Sequence, residues 1–247
     1  MLWVADDVAE IEGVQYWCRP VGERFSSQPG RFCLLKPRHE VERYAALVEE
    51  LAPSRIVEIG SHDGASAALL HDLARPERLL TVDRLSEVSD AFADFVERRG
   101  AHETLVAAPG VDQADTGTVV ALIETHLGGE PLDLVIDDAS HLVDLTRATF
   151  NALFPRLRPG GKYVIEDWSW AHTMLGNSFG WADEVPLTVV VFQLVLACAH
   201  RPRCFGDLTI SKNWAIVERG PEPIEGPFDL AACSAPRGRD LINAPEA

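Results

Sequence analysis

Short apolar runs alternate regularly with amphipathic segments of helical length through the middle of the 247-residue chain. This alternation is typical of βαβ units, in which successive strands lie parallel and helices cover the sheet. It therefore predicts an α/β fold built on a doubly wound, mostly parallel sheet. We expect strands at 55–60, 78–83, 104–108, 132–138 and 162–167, and helices at 40–51, 65–74, 91–99, 118–127 and 145–157.

Towards its end the domain departs from this alternation. The helix at 145–157 should stop before residues 159–161, Pro-Gly-Gly, because proline cannot continue a helix. Residues 187–199 are mostly apolar and can form a buried helix. Residues 207–211 and 215–218 flank a polar turn, so we expect them to close the sheet as an antiparallel hairpin.

These patterns divide the chain into three parts. We place one domain at residues 39–220, an N-terminal extension or cap at residues 1–38, and a loosely packed tail at residues 221–247. The N-terminal residues show no clear period. Their aromatic side chains can cover a cofactor or mediate oligomer contacts, and both alternatives stay open. We expect a homo-oligomer.

Charge limits the partners of the protein. Lys and Arg number 22 and Asp and Glu number 38, so the formal net charge is −16 at pH 7, which repels nucleic acid and anionic lipid. No stretch reaches the roughly 20 apolar residues that a membrane helix needs, and the acidic start is unlike a secretory signal. Five scattered cysteines without a CxxC pair indicate neither a disulfide framework nor a zinc site. We expect a cytoplasmic protein without nucleic-acid or membrane partners.

The loop after the first strand carries Gly60 and Gly64, at the end of the sheet where doubly wound folds bind cofactors. The spacing G-x-x-x-G differs from the G-x-G-x-x-G that holds a dinucleotide pyrophosphate. Glu58 suits a cationic or amino-bearing ligand better than a pyrophosphate. Asp83 ends the second strand and can accept hydrogen bonds from ribose hydroxyls, which NAD and S-adenosylmethionine share. The loop therefore predicts a cofactor with an adenosine-type ribose and leaves these two open.

Acidic residues end the two strands that follow. Asp137 and Asp138 close the fourth strand, and Glu166 and Asp167 close the fifth. Four carboxylates at one sheet edge repel each other unless they are protonated, paired or bound to a cation, and oxygen ligands favour a hard ion such as Mg²⁺. We therefore predict a divalent metal on Asp138, Asp167 and Glu166. Alternation along the strand should turn Asp137 to the opposite face.

His141 lies three residues after Asp138 and is the predicted catalytic base. Its side chain suits proton transfer because the ordinary pKa of histidine, about 6.5, lies near neutrality. Two structural alternatives remain. His141 can simply pack against the following helix with Asp138 accepting its N–H, and the two aspartates can cap that helix through its free amides.

The order of these motifs resembles class I S-adenosylmethionine-dependent methyltransferases, and the likeness runs from about residue 36 to residue 220. Within that superfamily the chain is similar to metal-dependent O-methyltransferases that act on sugar hydroxyls of macrolides and related natural products, and to the cephalosporin-hydroxylase group. The resemblance implies a seven-stranded, Rossmann-like sheet that closes in an antiparallel hairpin. It rests on EIGSHDG at 58–64, TVD at 81–83, IDDASH at 136–141, LRPGG at 157–161 and YVIED at 163–167.

The resemblance also implies roles for individual residues. The first loop would hold the methionine and ribose portion of S-adenosylmethionine, the end of the second strand its ribose hydroxyls, and the loop after the third strand its adenine. The substrate would be a small hydroxylated metabolite, and the products a methyl ether and S-adenosylhomocysteine. The implied cofactor-binding residues are, in that order, Glu58, Gly60, Ser61 and Gly64, then Asp83, then Gly110, Asp112 and Gln113.

Other functions stay open at this point. An NAD-dependent oxidoreductase would bind NAD in place of S-adenosylmethionine, and a cephalosporin-hydroxylase-like protein that assists β-lactam hydroxylation or methylation would need a reductant and oxygen. A non-catalytic cofactor-binding protein would lose nothing when His141 is replaced. The aromatic-rich connection at 168–186, with Phe179 and Trp181, is a candidate acceptor wall or lid, or else a hydrophobic cluster or subunit interface.

Overall fold

A computed structural model describes residues 1–18, 26–173 and 184–233. No helix in these ranges is long and apolar enough to span a bilayer. The elements in chain order are β1 (Leu2–Ala5), β2 (Val8–Ile11), β3 (Val14–Cys18), β4 (Arg31–Leu34), α1 (Arg38–Leu51), β5 (Arg55–Ile59), α2 (Ala65–Ala74), β6 (Arg78–Asp83), α3 (Asp90–Arg99), β7 (Leu105–Pro109), α4 (Thr116–Leu127), β8 (Leu132–Asp137), α5 (Val143–Leu153), β9 (Leu157–Glu166), α6 (Thr188–His200), β10 (Phe205–Ile210), β11 (Trp214–Arg219) and α7 (Leu230–Cys233).

Seven of the strands form one sheet in the order β10-β11-β9-β8-β5-β6-β7. The pairs β5–β6, β6–β7 and β8–β9 are parallel, whereas β11 is antiparallel to both β9 and β10. The predicted α/β class, the mostly parallel seven-stranded sheet and the closing hairpin are therefore confirmed. Contacts within the chain group residues 1–112 and 122–128 into one unit and residues 113–121 and 129–247 into a second.

In the second unit the fifth predicted strand begins earlier than its sequence pattern indicates. Helix α5 ends at Leu153, and β9 already begins at Leu157, so the Pro-Gly-Gly of residues 159–161 lies inside the strand and not in a turn before it. A Cβ atom on Gly161 would lie 3.0 Å from the carbonyl oxygen of Arg158 and 3.1 Å from that of Asp133. Glycine is needed there because two backbones approach closely where the β8–β9 register shifts.

The start of the tail packs into the second unit. Phe228 is 9% exposed, and Leu230 in α7 is fully buried. The ring of Phe228 lies 5.8 Å from that of Phe154 and 6.1 Å from that of Phe205, centroid to centroid. The expectation of a loosely packed tail is therefore wrong for this stretch, because its two apolar side chains complete an aromatic cluster. Residues 234–247 lie outside the described residues.

In the first unit the N-terminal residues form a sheet of their own, which the sequence pattern did not reveal. Its strand order is β1-β2-β3-β4, with antiparallel pairs except for the parallel β3–β4 pair. Tyr16 on β3 and Phe32 on β4 are fully buried and stack at 5.7 Å, and Phe32 meets Phe95 of α3 edge to face. Residues 1–18 and 26–34 therefore share an aromatic core with the βα units of the first unit.

One buried ion pair fastens this sheet to the helices. Asp72 on α2 accepts two hydrogen bonds of 2.8 Å from the Arg99 guanidinium and one of 2.8 Å from the Tyr16 hydroxyl. Arg99 also donates to the carbonyl oxygens of Ile11 and Glu12, at 2.9 and 3.2 Å. The side chains of Asp72 and Arg99 are only 4% and 15% exposed. The pair thus links β2, β3, α2 and α3 with nearly all its polar atoms satisfied.

Removing this carboxylate should destabilise the protein markedly. We expect Asp72→Ala to lower the free energy of unfolding by about 3 kcal/mol, because it leaves a buried guanidinium and a buried hydroxyl without their acceptor. The matched control is Glu42→Ala, which removes the exposed ion pair with Arg38 and should cost less than about 1 kcal/mol. Urea unfolding followed by tryptophan fluorescence measures both, and equal losses would contradict the assignment.

Candidate functional site

The glycine loop of the first unit is held by the carboxylate at the end of β6. Asp83 Oδ2 accepts hydrogen bonds from the backbone N–H groups of Ser61 and His62, at 2.9 and 2.6 Å, and its Oδ1 accepts one from Leu85 N–H at 2.8 Å. A carboxylate offers about four lone-pair positions, so it retains acceptor capacity. Asp83 therefore fixes the loop and can still receive a ligand hydroxyl.

The end of the loop leaves no room for a side chain. Gly64 has φ +87°, and a Cβ atom built there would lie 2.3 Å from the ring of Phe92. Phe92 is itself positioned by Ser89, whose hydroxyl caps α3 by accepting from Phe92 N–H at 3.1 Å and donates to the carbonyl oxygen of Asp63 at 2.5 Å. The backbone conformation and the packing both require glycine at this position.

A cavity of about 270 Å³, part of it open to solvent, adjoins this loop. Three predicted cofactor residues, Ser61, Gly64 and Asp83, line it. Glu58 is not among the described lining residues, and its buried carboxylate accepts a 2.9 Å hydrogen bond from Thr81, which is one of them. The described lining residues are Ser61, His62, Asp63, Gly64, Thr81, Asp83, Glu87, Val88, Phe92, Ala107 and Pro109.

The residues predicted to contact adenine are not among the described residues that line this cavity. Gly110 donates its N–H to the carbonyl oxygen of Leu85 at 2.6 Å, and Asp112 is exposed. Neither is among the described lining residues. Gln113 belongs to the second unit, where its side chain is 6% exposed and hydrogen-bonded to other residues of that unit. Their roles at an adenine stay predictions.

In the second unit Asp138, His141 and Asp167 form a group of possible metal ligands. One ligand atom of each residue lies within 4.8 Å of the others. His141 Nε2 is 3.8 Å from Asp138 Oδ1, and these two side chains are 11% and 21% exposed. Two donors on opposite sides of a Mg²⁺ ion would be about 4.2 Å apart, since each lies about 2.1 Å from the metal. Small side-chain adjustments therefore suffice for the two aspartates to bind one ion.

Backbone strain occurs at two residues of this group and at one residue of the glycine loop. His141 has φ +57° and Asp167 has φ +54°, and His62 in the glycine loop has φ +51°. Residues other than glycine are uncommon in this left-handed region, and when held there by their surroundings they cluster at active sites and ligand sites. His141 follows β8, Asp167 follows β9 and His62 follows β5, each in a loop where the sequence predicted a site.

Asp137, the residue before Asp138, is the centre of a buried hydrogen-bond network. Asp137 is buried and accepts hydrogen bonds from Tyr163 Oη at 2.9 Å and Gln113 Nε2 at 2.8 Å. Gln113 Oε1 accepts one from the Ser140 hydroxyl at 2.6 Å. Burial raises the pKa of Asp137 to about 7, although its hydrogen bonds oppose the shift. Asp137 thus anchors the loop that carries Asp138 and His141, and it is absent from the ligand group, in keeping with strand alternation.

The third predicted ligand, Glu166, is not among the three described residues that group as possible ligands. It is 1% exposed and is the register partner of Trp214 on β11. Its role as a ligand stays a prediction. The network around Gln113 and Ser140 was not predicted, because nothing in the sequence shows which buried carboxylate a glutamine 24 residues away will contact.

The structure describes two aromatic residues of the candidate acceptor wall. Trp170 starts a short 3-10 turn, donates its N–H to the carbonyl oxygen of Asp167 at 3.1 Å, and places its ring 4.9 Å from that of His141, centroid to centroid. Trp168 is tied back through its indole N–H to the carbonyl oxygen of Ser211 at 2.9 Å. The other two aromatic residues of this proposal, Phe179 and Trp181, lie outside the described residues.

Gly64→Ala should be more damaging than an alanine at another left-handed glycine. We expect it to lower the free energy of unfolding by about 3 kcal/mol, from roughly 1–2 kcal/mol of backbone strain and a similar overpacking penalty against Phe92. Gly110→Ala is the matched control, since Gly110 has φ +75° but open space around its Cβ position. Urea titration should show the smaller loss for Gly110→Ala, and the reverse order would contradict the packing argument.

Comparison with known sequences identifies the region that carries both groups of residues. Residues 57–168 match the family described as a methyltransferase domain. Over 74 residues the chain is 42% identical to demethylmacrocin O-methyltransferase of Streptomyces fradiae, a match that covers 30% of this chain and 18% of that protein. The aligned part is therefore a small fraction of the curated relative.

Solved structures show the same fold. The MycE methyltransferase of the mycinamycin biosynthetic pathway, in complex with Mg, SAH and mycinamycin VI, superposes with a TM-score of 0.56 at 24% identity, over 77% of this chain and 51% of that one. The O-methyltransferase from Bacillus cereus in complex with SAH gives a TM-score of 0.53 at 18% identity, over 74% of this chain and 81% of that one. The chain thus spans about half the length of MycE.

The family match, the sheet order and the site loops agree with one another. The match begins in β5 and ends just after β9, so it includes the glycine loop, Asp83, Asp138, His141 and Asp167. Residues 57–168 therefore resemble a methyltransferase domain in sequence, and the described chain has the Rossmann-like α/β fold of the solved methyltransferases.

Proposed function

We propose that the protein is an S-adenosylmethionine-dependent, divalent-cation-dependent O-methyltransferase that methylates a hydroxyl of a small metabolite, with glycosylated natural products as the favoured class. The observation that carries the proposal is the grouping of Asp138, His141 and Asp167 in a domain of the methyltransferase family. Two acidic ligands beside a histidine suit the deprotonation of a hydroxyl, which an O-methyl transfer requires.

The cofactor is proposed from the glycine loop. The G-x-x-x-G spacing of Gly60 and Gly64 does not provide the dinucleotide motif, and the buried Glu58 carboxylate would be unfavourable beside a pyrophosphate. An amino acid moiety with an ammonium group and a sulfonium is a better electrostatic match. Asp83 would receive the ribose hydroxyls. Structural neighbours of this chain are described in complex with SAM or SAH.

The cation is proposed from the donor set. Asp138 and Asp167 supply carboxylate oxygens that Mg²⁺ prefers, and Glu166 is the third ligand predicted from sequence. When bound, such a cation supplies positive charge that makes a nearby hydroxyl more acidic. Asp137 and Gln113 would hold the Asp138 loop in place from behind, as outer residues commonly do at metal sites.

His141 is proposed as the proton acceptor. An imidazole changes charge near neutral pH, whereas Asp138 and Asp167 are needed as anions. The ring of Trp170 restricts the orientation of His141 from one side. In the proposed reaction S-adenosylmethionine would supply the methyl group, His141 would accept the proton of the substrate hydroxyl, and the products would be the methyl ether and S-adenosylhomocysteine.

The substrate class is proposed from the relatives. Two rhamnosyl-tetracenomycin O-methyltransferases of Streptomyces olivaceus and an L-olivosyl-oleandolide 3-O-methyltransferase of Streptomyces antibioticus are named for glycosylated substrates. The matched segment is 36–42% identical, over 74 residues, to these three proteins and to demethylmacrocin O-methyltransferase. Aromatic side chains next to the ligand group, such as Trp170, suit the apolar face of a sugar ring.

Metal binding can be measured without knowing the substrate. We expect Mn²⁺, followed by electron paramagnetic resonance, to bind the full chain, and Asp138→Asn and Asp167→Asn each to weaken it by at least roughly tenfold because one charged oxygen ligand is lost. Asp144→Asn is the control, since Asp144 is 87% exposed on α5.

EDTA should abolish methyl transfer to hydroxylated glycosides, and Mg²⁺ should restore it. Full activity in EDTA would remove the cation from the mechanism, and Glu166→Gln tests the third ligand.

Replacement of His141 separates chemistry from binding. We expect His141→Ala to lower the rate of S-adenosylhomocysteine formation on a panel of hydroxylated glycosides by roughly 100-fold, the usual scale of general-base catalysis. Its affinity for S-adenosylhomocysteine, measured by calorimetry, should stay within about twofold of the unsubstituted protein. An unchanged rate would contradict the assignment. A loss of Mn²⁺ affinity would reassign His141 as a metal ligand.

A further inference from the structure

A serine from the N-terminal part of the chain contacts the glycine loop. Ser27 Oγ donates to Asp63 Oδ2 at 2.5 Å and accepts a hydrogen bond from the backbone N–H of Cys33, on β4, at 3.0 Å. All these residues belong to the first unit. Ser27 is therefore a direct link between the N-terminal sheet and the loop that borders the cavity.

A tight turn fixes the position of this serine. Gln28 and Arg31 exchange two backbone hydrogen bonds of 2.8 Å around Pro29 and Gly30, and Gly30 has φ +77°. Proline followed by a left-handed glycine is the signature of a type II turn. The carbonyl oxygen of Gly30 also accepts from Gln15 N–H on β3, at 3.0 Å. The turn therefore places Ser27 relative to two strands of the sheet.

Asp63 is the loop residue that receives this hydrogen bond, and it also lines the cavity. Its other oxygen accepts from Ala65 N–H at 3.2 Å, at the start of α2, and its side chain is 21% exposed. Burial opposes the charge on Asp63, but the interactions with His62, Ser27 and Ala65 outweigh burial and lower its pKa. The residue is thus a carboxylate whose orientation depends on its donors.

We propose that Ser27 is a positioning residue for the cofactor and that the N-terminal sheet is thereby part of the S-adenosylmethionine site. The inference rests on the proposed function, in which the cavity beside Gly64 and Asp83 holds this cofactor. Short O–H to carboxylate hydrogen bonds are among the stronger ones in proteins. Here one holds the loop at the Asp63 side chain, while Asp83 holds it at the backbone N–H groups of Ser61 and His62.

This arrangement pre-organises the loop for its ligand. Without the Ser27 hydroxyl, Asp63 can rotate away, and the 61–64 segment gains conformations that do not match the cofactor. Binding would then have to order the segment again, which reduces affinity. Ser27 itself is not among the lining residues of the cavity, so it acts through Asp63 and not by touching the cofactor.

The test is calorimetric titration of the full chain with S-adenosylhomocysteine. We expect Ser27→Ala to raise the dissociation constant roughly tenfold, which corresponds to about 1.4 kcal/mol. Ser27→Thr keeps the hydroxyl and should restore affinity to within about threefold, or about 0.65 kcal/mol. Ser26→Ala, at the exposed neighbouring serine, is the matched control and should bind as the unsubstituted protein does.

Two further readouts separate the explanations. Mn²⁺ affinity, which belongs to the second unit, should be unchanged in Ser27→Ala, and its urea midpoint should stay close to that of Ser26→Ala. Unchanged S-adenosylhomocysteine affinity in Ser27→Ala, or an equal loss in Ser27→Thr, overturns the positioning role. Failure of the unsubstituted protein to bind S-adenosylhomocysteine overturns the proposed function instead.

Discussion

Both candidate sites depend on tight turns, which follow β5 in the first unit and β8 and β9 in the second. His62, His141 and Asp167 all adopt a left-handed backbone there, which costs roughly 1–2 kcal/mol for a residue with a Cβ atom. Such conformations persist only where surrounding contacts hold them. In the first unit Asp83 accepts the backbone N–H of His62, and in the second unit Gln113 binds Ser140, next to His141.

Aspartates at the ends of the strands therefore have different roles. Asp83 and Asp137 accept hydrogen bonds from their own units and fix loops, whereas Asp138 and Asp167 remain partly exposed and close to His141. Neighbouring acidic residues at a strand end can divide these tasks because alternate side chains point to opposite faces. The proposed chemistry uses the partly exposed Asp138 and Asp167, and the buried Asp137 holds the loop that carries Asp138.

Hydrogen bonds to carboxylates also connect the N-terminal sheet to other elements of the first unit. Asp72 joins the sheet to α2 and α3 through Tyr16 and Arg99, and Ser27 joins it to the glycine loop through Asp63. The first contact bears on stability, and the second is proposed to bear on cofactor affinity. A segment without recognisable periodicity can thus contribute to both, since its role depends on a few hydrogen bonds and not on its pattern.

The sequence by itself determined the α/β class, the order of strands and helices between residues 40 and 219, the closing hairpin and the loops that carry Gly64, Asp83, Asp138 and Asp167. Those features follow from apolar periodicity and from strand ends, which are local properties of the chain. Only the tertiary structure decided the N-terminal sheet, the glycine approach inside β9, the partners of Gln113 and the link from Ser27 to Asp63. These depend on contacts between residues distant in sequence, for which local pattern carries no signal.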